Sequence, residues 1–368
     1  MARALILGYF GARNWGDELI LRSFLRAYRD ILSRAGLKLA VTMKQQPDKA
    51  YTHELQDLYP GLSFVPISPF LPISPALNAY RYLICPGGSL LQNATSDRSL
   101  QFYLSVISRF TGSRKAMLLN QGIGPITGEK MASATRRTLG KAALFTARDN
   151  ETLEWVRGSV PDDKLFLASD AVFACDQDFA PKGDVRQRRV FVFVLREGVA
   201  EEAMEFTIGS VPRTHEVNLV GLQSADMHFL REVRVRTPFP HDRVEILGPT
   251  DFSRRLAGST LVISERYHGL IASLIAGVPF VGIGDDPKIL SFCKEAGMPS
   301  FVRDALHEAT ASDLLERAQA AFDASRFAAL ATEFRSRQAA QKKMITALLA
   351  DGQAGADTRK STNTGANP

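Results

Sequence analysis

Arg266-Tyr267-His268-Gly269-Leu270 follows an apolar, strand-like run, Leu261 to Ser264, and opens a segment so apolar that it must be buried. Imidazole is the side chain that exchanges a proton most readily near neutral pH, so His268 is a candidate general acid. Cations accompany it. Arg266 is two residues away, and Lys288 ends Gly284-Asp285-Asp286-Pro287-Lys288 after the next apolar run. Arg148 follows the run Leu144 to Ala147, and Arg196 follows Val190 to Leu195. Such groups suit a small ligand that carries carboxylate and phosphate: the planar fork of arginine matches a carboxylate, and lysine is a point charge for phosphate. Arg148 has a structural alternative, an ion pair with Asp149 or Glu151.

Three glycine-rich stretches stand after other apolar runs. In Gly8-Tyr9-Phe10-Gly11-Ala12-Arg13-Asn14-Trp15-Gly16-Asp17-Glu18 the glycines let backbone approach a ligand, and the following helix offers unpaired N–H groups to an anion. The alternative is a tight strand-to-helix turn capped by Asn14 or Asp17. Cys85-Pro86-Gly87-Gly88-Ser89-Leu90-Leu91-Gln92-Asn93 sets a glycine pair beside two hydrogen-bonding side chains, and Asn120-Gln121-Gly122-Ile123-Gly124-Pro125 sets two amides ahead of two glycines. Gly11, Asn14, Gly16, Asp17, Glu18, Gly87, Gly88, Ser89, Gln92, Gln121 and Gly122 are the loop candidates for a second ligand. No loop has the spacing of a dinucleotide fingerprint or the Lys-Ser/Thr of a Walker loop. Nucleophile-elbow and histidine-rich metal spacings are also missing, so no metal ligand is assigned.

These loops need elements to hold them. Strands are expected at Ala4–Leu7, Leu37–Thr42, Tyr82–Cys85, Ala116–Leu119 and Leu144–Ala147, alternating with helices at Asp17–Ser33, Leu100–Phe110 and Met131–Ala142. A second series has strands at Val190–Leu195, Glu216–Leu222, Val244–Leu247, Leu261–Ser264 and Pro279–Gly282, with helices at Pro249–Ala257 and Tyr267–Ala276. Such alternation predicts an α/β protein of two Rossmann-like domains facing each other across a cleft, with ligands outside the carboxyl ends of the strands. The boundaries read as an N-terminal domain over 1–174, a join at Cys175–Arg188, a C-terminal domain over 189–350 and a disordered tail from Asp351 to Pro368. Ser312 is expected to cap the penultimate helix, and a last helix runs over Phe327–Leu349.

The 368 residues carry a net charge of +6, with 45% hydrophobic and 23% charged side chains. This excludes wholesale disorder, and the mild excess of cations is no nucleic-acid footprint. Cys85, Cys175 and Cys293 are too few and too far apart for a disulfide framework. The uncharged run Gly269–Gly284 is interrupted by Gly277 and Pro279 and is too short to span a bilayer. Met1–Phe10 lacks a signal-peptide layout, so a cytoplasmic location is expected. Arg22, Arg26 and Arg29 recur at helical spacing opposite Leu21, Tyr28 and Leu32, a stripe that offers a weak peripheral contact to anionic headgroups at the inner face of the membrane.

Taken in order, the motifs resemble the polysaccharide pyruvyl transferase family, and within it the bacterial cell-wall branch. They are the Asn-x-Gly-Asp-Glu-x-Ile-Leu core of Gly8–Leu21, Pro86–Gln92, Gln121–Pro125, Ala147-Arg148-Asp149, Ser169-Asp170, Arg266–Leu270, and Ala276–Pro279 through Asp286-Pro287-Lys288. The resemblance implies a fold like that of GT-B glycosyltransferases. It implies phosphoenolpyruvate as donor, a polysaccharide or lipid-linked oligosaccharide as acceptor, and no metal, nucleotide or other cofactor. The family's donor residues fall on Arg148, His268 and Lys288, and Arg196 matches a frequent family arginine. Arg266 joins the donor-binding set from its place beside His268, the expected general acid, with the donor expected on the C-terminal domain's side. The loop candidates would serve the acceptor; the sequence identifies no base for its hydroxyls, and Asp17 and Glu18 are candidates only by lying on a loop expected to face the donor. The segment Leu219–Asp226 departs from the Pro-Met-Gln type of loop frequent in the family but keeps Gln223 and Asp226. Two rival readings use the same loops: a GT-B glycosyltransferase with a nucleotide-sugar donor, and a catalytically inactive sugar-binding protein.

Overall fold

A strand followed by a helix re-enters its sheet in the same direction, so alternating apolar runs and amphipathic helices dictate parallel pairing. The computed structural model describes residues 1–94, 96–112, 114–176, 179, 189–199, 201–236 and 243–361. The chain divides into two units, one of Met1–Ala12, Asp17–Cys175 and the stretch from Phe334 on, the other of Arg13–Gly16 and Asp176–Glu333.

The first unit's sheet contains β1 (Arg3–Ile6), β2 (Lys38–Met43), β3 (Ser63–Pro66), β4 (Tyr82–Cys85), β5 (Gly88–Leu91), β6 (Lys115–Ile123), β7 (Leu144–Ala147) and β8 (Leu165–Leu167). The order is β3-β2-β1-β4-β6-β7-β8, with β5 beside β6, and the pairings are parallel. The second unit has β9 (Val190–Val194), β10 (Glu216–Val220), β11 (Val244–Leu247), β12 (Leu261–Ser264), β13 (Phe280–Ile283) and β14 (Ser300–Phe301). They run parallel in the order β11-β10-β9-β12-β13-β14. In each sheet the winding reverses beside the first strand, at β1/β4 and at β9/β12. Such a reversal opens a crevice outside the carboxyl ends, the usual place for a ligand in this architecture.

The period of two along each strand sorts the core of the first unit into two layers. Leu5, Leu83 and Leu118 pack with Leu100, Tyr103, Ile107 and Leu139. Ala4, Ile6, Val41, Ile84 and Met117 point the other way, onto Leu21, Phe24, Leu25 and Tyr28 of the helix Trp15–Arg34. Ile345 and Leu349 of the last helix join this second layer.

That last helix, Ala324–Ser361, corrects two expectations. From Phe334 it belongs to the first unit, not to a C-terminal domain ending at 350. Phe334, Gln338, Gln341, Ile345 and Leu349 recur at helical spacing and are all buried. Gln338 Nε2 donates to Asn120 Oδ1 (2.8 Å) and to the Ser169 carbonyl (2.9 Å), and Gln341 Nε2 donates to the Tyr28 hydroxyl (2.7 Å). A local hydrophobic period identifies such a stripe but not the sheet that receives it. The helix also continues through 351–361, where a disordered tail was expected; 362–368 lie outside the described residues.

Smaller differences have local causes. The strands β3 and β5 form where prolines and a Gly-Gly pair suggest loops. The penultimate helix, Ala311–Ala321, is capped by Thr310 rather than Ser312, because Thr310 and Asp313 form a reciprocal capping box. Most of the expected join at Cys175–Arg188 lies outside the described residues. Among the described residues no helix is long and apolar enough to cross a membrane.

Candidate active site

In the second unit β9, β12 and β13 are neighbours, so the residues just past their carboxyl ends share one rim. Arg196 follows β9, Glu265 to His268 follow β12, and Gly284 to Lys288 follow β13. The fold thereby brings Arg196, Arg266, His268 and Lys288 together, while Arg148 belongs to the first unit.

His268 lies in the first turn of the helix Tyr267–Ala276. The ring of Tyr267 meets its imidazole edge to face at 5.5 Å. On another side stands Gly16, where a Cβ would come within 2.2 Å of Nδ1. No side chain fits there without moving the imidazole, which explains the glycine. The Arg13–Gly16 segment is built into this unit. Trp15 N–H donates to the Leu222 carbonyl (3.0 Å), and Asn14 pairs antiparallel with Gln223. The Trp15 ring packs edge-on against Phe252 and Phe179 at 5.8 and 5.6 Å. Asn14 Oδ1 also accepts from Gly16 N–H (3.3 Å), so Asn14 shapes the turn that backs His268.

Two buried carboxylates, Asp226 and Glu265, organise the same rim. Asp226 grips Arg266 with both oxygens (2.5 and 3.1 Å) and accepts from the N–H groups of Glu197 and Gln223 (3.3 and 3.2 Å). Glu265 accepts from Arg196 N–H (2.9 Å) and from Arg303 Nε (2.7 Å). The loops after β9, β10, β12 and β14 are thus tied together by charge-assisted bonds. The consequence for Arg266 is specific: its guanidinium is held by Asp226, which suits positioning more than holding a donor. Arg196 is exposed, and among the described residues its guanidinium has no ion-pair partner. Lys288 Nζ, about one-third exposed, lies 2.8 Å from Asp286 Oδ2, within the first turn of the helix Pro287–Ala296.

In the first unit, Gly87 and Gly88 turn the chain from β4 into β5 with φ of 151° and 97°, a region that suits glycine. A Cβ on Gly88 would lie 3.4 Å from Asp17 Oδ1, so the half-buried Asp17 faces this turn. Glu18 is buried instead. One oxygen accepts from Gly11 N–H (2.7 Å) and the other from the Tyr51 hydroxyl. Burial raises its carboxyl pKa, against the lowering effect of those two hydrogen bonds. Both oxygens are occupied in fixing the loop. Ser89 lies in β5, and Gln92 Oε1 accepts from Ala94 N–H (2.9 Å), closing the turn after it.

Gln121 was expected on a loop, yet β6 extends to Ile123 and its side chain is buried, donating to the Cys85 and Leu119 carbonyls (3.1 and 2.6 Å). It holds backbone rather than a ligand. Gly122 leaves room for Arg148, whose Nη2 would lie 2.2 Å from a Cβ at that position. Arg148 is buried, 3.5 Å from Asp149 Oδ2 and 3.8 Å from Asp170 Oδ2. The structural alternative read from the sequence is therefore present at Asp149, with Asp170 in addition.

Comparison with known proteins adds the family. A family model, polysaccharide pyruvyl transferase, matches residues 14–287. No curated protein sequence matches the chain. Among solved structures, the chain is similar to Alr3699/HepE of Anabaena in complex with UDP, at 13% identity over 96% of this chain and 100% of that one, with a TM-score of 0.56. It is similar to UDP-GlcNAc 2-epimerase of Neisseria meningitidis bound to UDP-GlcNAc, at 12% identity over 95% and 100%, with a TM-score of 0.57. The UDP-GlcNAc 2-epimerase of Methanocaldococcus jannaschii, in complex with UDP-GlcNAc and UDP, gives 12% identity over 89% and 94%, and 0.57. At these identities the likeness shows the fold alone, GT-B-like, with two Rossmann-like units.

Proposed function

The chain belongs to the polysaccharide pyruvyl transferase family, and on that premise we propose that it moves pyruvate from phosphoenolpyruvate to a sugar diol of a cell-wall or exopolysaccharide precursor, forming a ketal and releasing phosphate. The observation that supports this reading is the rim of the second sheet, where His268 opens a buried helix among Arg196, Arg266 and Lys288.

The chemistry follows from the donor. His268 delivers a proton to C3, which makes C2 cation-like and open to a sugar hydroxyl. The C2–O bond to phosphate breaks, and the second hydroxyl closes the ketal. Of the two hydroxyl protons, one replaces the proton given to C3 by way of the imidazole, and the other leaves with phosphate. Lys288 and Arg196 stabilise the donor's anionic groups and the departing phosphate. Arg266 keeps the loop in register through Asp226. Arg148, which the family resemblance also assigns to the donor, belongs to the first unit. This route uses no metal and no nucleotide.

The fold likeness to proteins solved with UDP or UDP-GlcNAc supports a second reading, a nucleotide-sugar enzyme. Thermal protection separates the two. Phosphoenolpyruvate at 100 times its dissociation constant should add about 2.7 kcal/mol of stability. UDP-sugars should leave the melting temperature unchanged. Protection by UDP-GlcNAc and not by phosphoenolpyruvate would reverse the assignment.

A further inference from the structure

The proline-rich stretch before β4 takes no part in either rim, and its surface is unusual. From Leu58 to Tyr80 the chain carries no charged side chain. Two short turns, Leu71–Ile73 and Pro75–Ala79, sink Leu71 and Leu77 into the core and leave Phe70 and Ile73 each 72% exposed. Pro69, Pro75 and Ala76 are exposed with them. Proline sits at the start of both turns and fixes φ there, so the apolar side chains are held outward on a stiff loop.

The charged side chains bonded to this loop are arginines. Arg109 and Arg114 both donate to Asn78 Oδ1, at 3.0 and 2.8 Å, and Arg3 donates to the Tyr80 hydroxyl at 3.3 Å. Between Arg98 and Gly128 the chain has Arg98, Arg109, Arg114 and Lys115 and no carboxylate. The arginine stripe expected to meet headgroups is different: Arg22 is paired with Glu54, and Arg29 reaches the Asp57 carbonyl.

We propose that the Phe70–Ile73 loop docks on an anionic lipid bilayer, with both side chains at the boundary of headgroups and acyl chains and with Arg109 and Arg114 at headgroup level. An anionic surface complements the arginines bonded to this loop. A second copy of this chain would bring like charges together instead.

Flotation of the full chain with phosphatidylcholine vesicles, with and without phosphatidylglycerol, tests this. The chain should float with the anionic vesicles only, and less so as salt rises. Phe70→Ser with Ile73→Ser should weaken binding by at least about tenfold, because two apolar groups are lost from the interface. Arg109→Gln with Arg114→Gln should flatten the salt dependence, and Arg22→Gln should bind as wild type. Phe70 and Ile73 are exposed, so their replacement should leave the melting temperature unchanged, and either single variant serves as a check. Failure of the wild type to float, or undiminished flotation of the serine variant, would overturn the proposal. So would a loss of dimer in light scattering as the variant's only effect. Flotation requires no substrate, so its outcome is independent of the transferase reading.

Discussion

His268→Gln is expected to bind phosphoenolpyruvate nearly as well as the wild type while turnover falls by about two to four orders of magnitude, the usual worth of a general acid. Glutamine can fill part of the space between Gly16 and Tyr267 and can donate a hydrogen bond, but it cannot deliver a proton to C3. Lys288→Ala should behave differently. It removes a charge partner of the donor, so affinity should weaken together with rate, by about 1.5–3 kcal/mol for a lost charged hydrogen bond. Calorimetry for the donor, single-turnover phosphate release and thermal melting separate these effects. If His268→Gln retains near wild-type turnover and only melts earlier, its place beside Gly16 and Tyr267 is a packing role and the proton comes from elsewhere.

Asp226→Ala should produce the largest loss of stability. Its carboxylate is buried and holds the Arg266 guanidinium, itself 18% exposed, along with two backbone N–H groups from different loops. Removing one member of a buried pair leaves the other uncompensated, at a cost of about 3–5 kcal/mol. For a unit of this size that lowers the melting temperature by roughly ten degrees. Arg266→Ala should also destabilise, and the double variant should be less damaged than the two single losses combined, because the partners go together. Strict additivity in that cycle would show that Arg266 acts elsewhere. A loss confined to donor affinity with no change in melting would return Arg266 to the donor-binding set.

The sequence is most legible where a strand is buried on both faces. The runs Tyr82–Cys85, Leu144–Ala147 and Leu261–Ser264 are apolar or nearly so from end to end, and the structure places fully buried strands at those residues. β5 escapes because Gly88 and Ser89 carry no hydrophobic signal; its pairing comes from β6. The rim residues are legible for the same reason as the strands, since each stands just past a carboxyl end. Their partners are not. Asp226 lies forty positions from Arg266, and nothing local marks it as the acid that neutralises that arginine. Arg266 therefore looks like a ligand-holding cation in the sequence, while in the fold its guanidinium is engaged by Asp226. Glu265 is similar: the adjacent motif makes it visible, but its hold on Arg303 depends on the order of β9, β12, β13 and β14 in the sheet. Helical periodicity marks the stripe Phe334 to Leu349. Gln338 and Gln341 finish in the first unit because Asn120, Ser169 and Tyr28 are there to receive their amides.

The measurement that bears most directly on the proposed reaction is turnover in D2O with phosphoenolpyruvate and a polysaccharide precursor bearing a free diol, followed by NMR of the product and assay of phosphate. Ketal formation by protonation at C3 predicts one phosphate per ketal and one solvent deuteron in the ketal methyl group. Transfer from a UDP-sugar to the same acceptor, with no phosphate released from phosphoenolpyruvate, would contradict it.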